Sequence, residues 1–279
     1  MRVLHLVTRF LSAGSERNML ASMRWEREQG HEVHLAVGGE SDEAVGGESD
    51  ERGVPDDIEV HRLPSLVRAI SPRADLRARQ EVCDLLTSTP FDVLHTHQSK
   101  AGVVGRIAGR GRVPVTVHTV HTASFGPGSS MLASVAFPTA ERVCARFTNL
   151  IVCVGEELRE MYLDASIGQP RQFRVLRSPI DVDRFATGRH VTLDDRAALR
   201  ARFGVRDGAR MLLSIGALEP RKRHALLVQR LAPLLRSGQA DLVIAGDGPE
   251  RLRLQQLAAE AGCADAVHLL GFVEDVPAV

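Results

Sequence analysis

Ser214-Ile215-Gly216-Ala217-Leu218-Glu219-Pro220-Arg221-Lys222-Arg223 is the stretch whose reading decides the fold. Before it, Met211–Ile215 is a short apolar run with strand character. After it, His224–Leu235 carries apolar residues at helical spacing. A strand that feeds a helix through a glycine turn offers backbone N–H groups and the positive end of a helix dipole to an anion. Lys222 and its arginine neighbours add point charges. The stretch therefore reads as a βα turn that forms the phosphate end of a nucleotide-type ligand site.

The same strand–helix alternation extends outward in both directions. Towards the C-terminus, Asp241–Ala245 and Ala266–Leu270 read as strands and Glu250–Ala261 as a helix. Towards the N-terminus, Leu193–Phe203 reads as a helix and Ser178–Thr192 as a connection. Before that, strands are expected at Val3–Val7, Glu32–Val37, Ile58–His61, Phe91–His97, Val113–His118, Leu150–Val154 and Arg174–Arg177. Helices are expected at Asn18–Gln29, Pro72–Thr87, Lys100–Gly109, Met131–Phe147 and Glu156–Leu163. Strands separated by helical stretches mean βαβ units and parallel sheets. The expected architecture is α/β, with two Rossmann-like doubly wound domains: 1–180, a linker at 181–192, and 193–279. Only three strands fall in the second domain, where such a fold normally has five or six. The second domain is thus expected to be incomplete, with an unpaired sheet edge.

Composition narrows the function classes. The 279 residues hold 35 basic and 35 acidic side chains, and aromatics are 4%. Balanced charge argues against general nucleic-acid binding, and scarce aromatics argue against single-strand stacking platforms. Cys83, Cys144, Cys153 and Cys263 form no CxxC pair and suit reduced thiols in the cytoplasm. No apolar run reaches membrane-spanning length. An eight-residue segment, 36–43, recurs unchanged at 44–51 and is rich in glycine and acid, which suits a tolerant surface loop rather than a calcium site.

In a parallel sheet the ligand loops lie at the carboxyl ends of the strands. Gly246-Asp247-Gly248-Pro249-Glu250 is a compact turn with proline at a helix start. It is equally well a ligand loop or a tight connection, and it is not the full dinucleotide fingerprint. His95 and His97 share one strand face, and a metal site with His118 or His121 is conceivable, but no carboxylate sits beside them in sequence. Asp181 and Asp183 read as solvated acids capping a turn. Arg106, Arg110 and Arg112 read as a solvated basic face.

Several stretches taken together resemble one family, the retaining glycosyltransferases of family 4 with the GT-B fold. Ala13-Gly14-Ser15-Glu16-Arg17 looks like its Gly-Gly-x-Glu loop. Asp92–His97 followed by Ser99-Lys100-Ala101-Gly102 is similar to a bacterial polysaccharide-type subgroup, and His118-Thr119-Val120-His121 resembles its acceptor-domain histidine segment. Ser178–Phe185 looks like its Asn-Gly-Ile-Asp linker, which disfavours a metal role for Asp181 and Asp183. Gly216–Lys222 resembles the Gly-Arg-Leu-x-x-x-Lys loop, and Gly246–Pro249 and Gly271-Phe272-Val273 its next two signatures.

The resemblance implies metal-independent transfer, with retention, from a nucleoside diphosphate sugar to the hydroxyl of a sugar or lipid-linked acceptor. It implies cytoplasmic work, extending to the inner face of the membrane. It implies His121 and Lys222 as the catalytic pair. Gly14, Gly216, Lys222, Gly246, Gly248 and Val273 would hold the donor, and His97 and Lys100 would stand on the acceptor side. Two departures bear on activity: Ala217 stands where the family has a diphosphate-binding arginine, and a downstream Glu-x7-Glu segment is not in the 279 residues. The chain by itself is therefore expected to be a poor or inactive transferase. The alternatives are an inactive fragment or interaction module, and a GT-B epimerase or phosphorylase.

Overall fold

A computed structural model describes residues 1–10, 14–39, 54–126, 131–180, 182–186 and 192–278. The second copy of the eight-residue repeat, Asp181 and residues 127–130 lie outside them. The chain divides into two compact units, Met1–Pro179 and Ile180–Val279.

The first unit is a seven-stranded parallel sheet. Its strands are β1 (Arg2–Val7), β2 (Glu32–Gly38), β3 (Glu59–Leu63), β4 (Val93–His97), β5 (Val115–Val120), β6 (Leu150–Cys153) and β7 (Phe173–Val175). They run in the order β3-β2-β1-β4-β5-β6-β7. Alternate residues of β1 and β2 face opposite layers. Leu4, Leu6 and Ala36 pack with Ala78, Val82 and Leu86 of α2 (Pro72–Ser88) and Val104 and Ala108 of α3 (Ser99–Gly109). Val7, Val33, Leu35 and Val37 pack with Met19 and Met23 of α1 (Gly14–Glu28). A sheet covered on both faces needs apolar residues at both parities, which is why these strands read as near-continuous hydrophobic runs. Helices α4 (Met131–Ala145) and α5 (Glu156–Asp164) complete the unit beside β6 and β7. The strand order reverses between β1 and β4, the switch point where open α/β sheets place their ligands.

The second unit contains α6 (Val182–Ala186), α7 (Leu193–Arg202), α8 (His224–Arg236) and α9 (Arg251–Glu260). Its sheet has the order β10-β9-β8, all parallel: β8 (Arg210–Ile215), β9 (Ala240–Ala245) and β10 (Val267–Gly271). The central β9 is buried throughout. Val228, Ala232 and Leu235 of α8 and Leu254 and Ala258 of α9 cover one face of the sheet. Phe203 and Val205, just after α7, pack against Val243 on the other. Leu213 and Ile215 of the edge strand β8 are exposed.

Helix α8 begins at His224, where the apolar helical spacing begins. A 3-10 turn at Pro220–Lys222 and a left-handed Arg223, φ 57°, come first. Proline at the head of that turn favours the tight geometry over immediate α-helix.

Candidate functional site

Each unit carries one candidate site at the carboxyl ends of its strands. In the second unit, the loops after β8, β9 and β10 are joined backbone to backbone. Gly216 N donates to Ala245 O (2.9 Å), Leu218 N to Asp247 O (2.9 Å), and Gly246 N to Gly271 O (2.7 Å). Glu250 N closes the set on Leu218 O at 3.0 Å. These contacts leave no room for side chains. A Cβ on Gly248 would stand 2.8 Å from Leu218 O. Gly246 and Gly248 therefore have a packing reason as well as an expected donor role.

The Lys222 chain is folded over Gly216, its Cδ and Cε 3.8 Å from where a Cβ would stand. Its residue is exposed, so the ammonium is available to a solvent-borne anion. Arg221 is paired with Glu219 and is turned to it. His224, at the first turn of α8, is buried, and its Nδ1 has no partner. Burial holds its pKa below the ordinary value. Val273 lies half-buried in the loop after β10.

In the first unit the loops after β1 and β4 meet at the switch point through one side chain that sequence reading passed over. Gln98 has φ 60°, a left-handed conformation uncommon for a side-chain-bearing residue. Its Oε1 accepts from the Thr8 and Arg9 amides (3.1 and 3.4 Å), and its Nε2 donates to Arg9 O (3.0 Å) and to Glu16 Oε1 (2.9 Å). Glu16, in the first turn of α1, is buried; burial raises its pKa against the hydrogen bonds from Ser15 and Gln98. Gly14 opens α1, and a Cβ there would meet nothing within 4 Å.

His97 and His121 belong to a file of imidazoles. His121, one residue past β5, has Nε2 3.2 Å from His97 Nδ1. His97 Nε2 lies 3.0 Å from His5 Nδ1, and His5 Nε2 lies 2.7 Å from the Glu26 carboxylate on α1. His95 stacks against the file, its ring 4.2 Å from His97 and 4.8 Å from His5, with Nε2 turned to Thr119 Oγ1 at 2.7 Å. Burial, helped by the neighbouring imidazoles, holds His95 and His97 well below the ordinary histidine pKa. Burial brings His121 to about 4. At neutral pH His95, His97 and His121 are uncharged and act as hydrogen-bonding groups.

Lys100, expected on the acceptor side, is paired with Asp75 of α2. The expected basic face is corrected at one position. Arg106 is fully buried, bidentate to Glu141 at 2.8 Å, with Nε on Gly102 O at 2.7 Å. Its helix packs between α2 and α4, so its inward position at that turn requires a carboxylate partner. Among the described residues, His5, His95 and His97 bring three donor atoms within 4.8 Å, as do His34, Glu59 and His61. Asp183 is exposed on α6.

Residues 13–179 match the family model described as "Glycosyl transferase 4-like domain", and residues 195–279 match "Glycosyl transferases group 1". The chain is 25% identical over 228 residues to the UDP-Gal:alpha-D-GlcNAc-diphosphoundecaprenol alpha-1,3-galactosyltransferase of Escherichia coli, covering 80% of this chain and 58% of that protein. It is 33% identical over 197 residues to a D-inositol 3-phosphate glycosyltransferase of Geodermatophilus obscurus, covering 64% of this chain and 42% of that protein. The chain thus spans about half the length of these curated relatives. Its fold is that of Anabaena Alr3699/HepE, solved in complex with UDP and glucose. The TM-score is 0.76 at 19% identity, over 100% of this chain and 71% of that one. No described helix is long and apolar enough to cross a membrane.

Proposed function

We propose that this chain, which belongs to the glycosyl transferase 4-like family, takes part in moving a sugar from a nucleoside diphosphate sugar to an acceptor hydroxyl with retention. The observation that carries the reading is the set of joined loops after β8, β9 and β10, with Lys222 folded over Gly216. A rigid βα turn at the carboxyl end of a parallel sheet, with a cation over it, suits a diphosphate. In the reaction the bond from the anomeric carbon to the diphosphate oxygen breaks, and a bond to the acceptor oxygen forms. Charge develops on the leaving diphosphate, and Lys222 neutralises it without a metal. Removing one such contact typically costs roughly 2–4 kcal/mol in the transition state. Gly14 admits the donor close to the start of α1, and Val273 lies on the nucleotide side. Neutral His121 faces the transferred sugar or the acceptor.

The E. coli relative's name specifies UDP-Gal and a diphosphoundecaprenol acceptor, and the Anabaena structure holds UDP. We therefore take a uridine diphosphate sugar as the donor and a lipid-linked or free sugar as the acceptor. The work is placed in the cytoplasm at a membrane face, building cell-surface polysaccharide or glycolipid.

A second reading, a donor-binding module with little turnover, is favoured by Ala217 in place of the family's arginine and by the engagement of Arg221 with Glu219. Calorimetric titration with UDP and GDP, with a sugar-release assay beside it, separates the two. Binding that weakens tenfold or more in Lys222→Ala supports the site, and turnover then selects between the readings. No binding of either nucleotide at millimolar concentration would sink both.

A further inference from the structure

We propose that His34, Glu59 and His61 form a binding site for one zinc ion, which ties the edge strand β3 to β2. The site is separate from the sugar-transfer reading. It lies in the amino halves of these strands, whereas the loops expected to take substrate follow the carboxyl ends.

Strand register makes the cluster. β2 and β3 run parallel, with His34 opposite Glu59 and Ala36 opposite His61. Side chains two apart on a strand share a face, so Glu32, His34, Glu59 and His61 project from one side of the sheet. β3 is the outermost strand, which opens the cluster to ions from solvent. The Glu59 side chain is 67% exposed, while that of His34 is only 6% exposed. Phe91 meets the His34 ring edge-on, with 5.1 Å between centroids, so this ring is held in place before any ion arrives.

The donor atoms converge. His34 Nδ1 stands 3.0 Å from His61 Nε2 and 3.5 Å from Glu59 Oε2. One donor atom from each of the three residues lies within 4.8 Å of the others. Around a tetrahedral zinc, bonds of about 2.0–2.2 Å set neighbouring ligand atoms about 3.3–3.6 Å apart. The two shorter spacings already approach that range.

The residue types select the ion. Two imidazoles and one carboxylate suit zinc and leave a fourth position for water. Calcium and magnesium take oxygen ligands, of which this set offers few. A partner that orients the first ligand is also in place. His34 Nε2 lies 2.9 Å from Glu32 Oε1, which accepts from Arg2 Nε at 2.8 Å as well. These hydrogen bonds, His34 first and then Arg2, hold the Glu32 carboxyl below its ordinary value. A carboxylate only accepts, so His34 bears a hydrogen on Nε2 and presents Nδ1 to the cluster. Metal-bound histidines are commonly fixed in this way, through the nitrogen that does not ligate. Burial holds His61 below the ordinary histidine value against the pull of Glu59, which favours its ligating form. An incoming metal displaces any proton carried on the facing nitrogens.

Calorimetric titration of the metal-stripped full chain with zinc chloride at neutral pH tests the site. The expected result is one equivalent bound in the micromolar range or tighter. Glu32→Gln should weaken binding about 10–100-fold. Glu59→Gln and His61→Gln should weaken it by at least as much, and His95→Gln should bind as the wild type does. A thermal melt in chelator checks that each variant folds. Saturating zinc should raise the midpoint of the wild type but not of His61→Gln, because an ion that binds only the folded state stabilises it. No binding at millimolar zinc would overturn the proposal. So would an equivalent that survives in both Glu59→Gln and His61→Gln, or one lost in His95→Gln, since the ion would then sit elsewhere. Binding without any rise in the midpoint would overturn the tie between β2 and β3.

Discussion

A Cβ placed on Gly246 would fall 2.0 Å from the carbonyl oxygen of Gly216. The two turns after β8 and β9 are therefore in backbone contact, and the φ of Gly246, 150°, disfavours other residues as well. Gly246→Ala must push the β8–α8 turn outward, since the obstacle is backbone and cannot rotate away. Overpacking of this kind costs about 1–3 kcal/mol. The expected outcome is a loss of that size in urea denaturation of the second unit, together with weakened nucleotide binding. Wild-type stability in Gly246→Ala would show that the turns are not packed as described.

Gly14 makes the opposite case. It opens α1 with open space around its missing Cβ. Gly14→Ala should leave stability within about 0.5 kcal/mol, as for surface substitutions generally. If donor approaches the α1 terminus, the added methyl should raise the donor Kd several-fold. Calorimetry with UDP beside a thermal melt checks both halves, and unchanged affinity would remove Gly14 from the site.

Arg106 and Glu141 form the most deeply buried ion pair described, with side chains 0% and 3% exposed. Removing one partner strands the other charge in the core, at a cost of about 3–5 kcal/mol. Arg106→Met and Glu141→Leu should each destabilise by that amount. The double variant should recover much of the loss, because two apolar side chains then face one another. Strict additivity in the double-mutant cycle would argue against a direct pair.

These sites differ in how legible they were. The parallel α/β order followed from apolar runs such as Val3–Val7 and Leu150–Cys153, whose both-faced burial is a property of the strand itself. The turn at Gly216–Lys222 was legible for the same reason, since glycine, proline and cations act locally. Arg106 was not, because its partner Glu141 lies 35 residues away, on α4. Gln98 was not, because its role is to join loops at Thr8–Arg9 and Glu16, more than 80 residues distant. Nor was Glu26, whose place on α1 looks like any solvated acid until β1 brings His5 beneath it. What sequence spacing could not convey was contact between separate βα units, and the histidine file is made of such contacts.

The histidines also set an acid limit on stability. Burial lowers His121 to about 4 in the folded chain and holds His95, His97 and His118 well below 6.5. In the unfolded chain each returns to about 6.5. Between those values the unfolded state binds more protons than the folded state, so stability falls as pH drops from 6.5 towards 4 and is unaffected by these groups above 6.5. Glu16, with its raised pKa, has the opposite sign, losing stability as pH rises above its ordinary 4.5. It is one group against these four, and His61 and His224 are lowered in the same sense, so the histidine trend should dominate. Urea midpoints measured from pH 7.5 to 4.5 should decline below pH 6.5, by up to about 1.4 kcal/mol per pH unit for each neutral-buried histidine. His121→Gln should reduce that slope by close to one proton. A flat profile, or a slope unchanged in His121→Gln, would mean that the rings take up protons in the folded sheet.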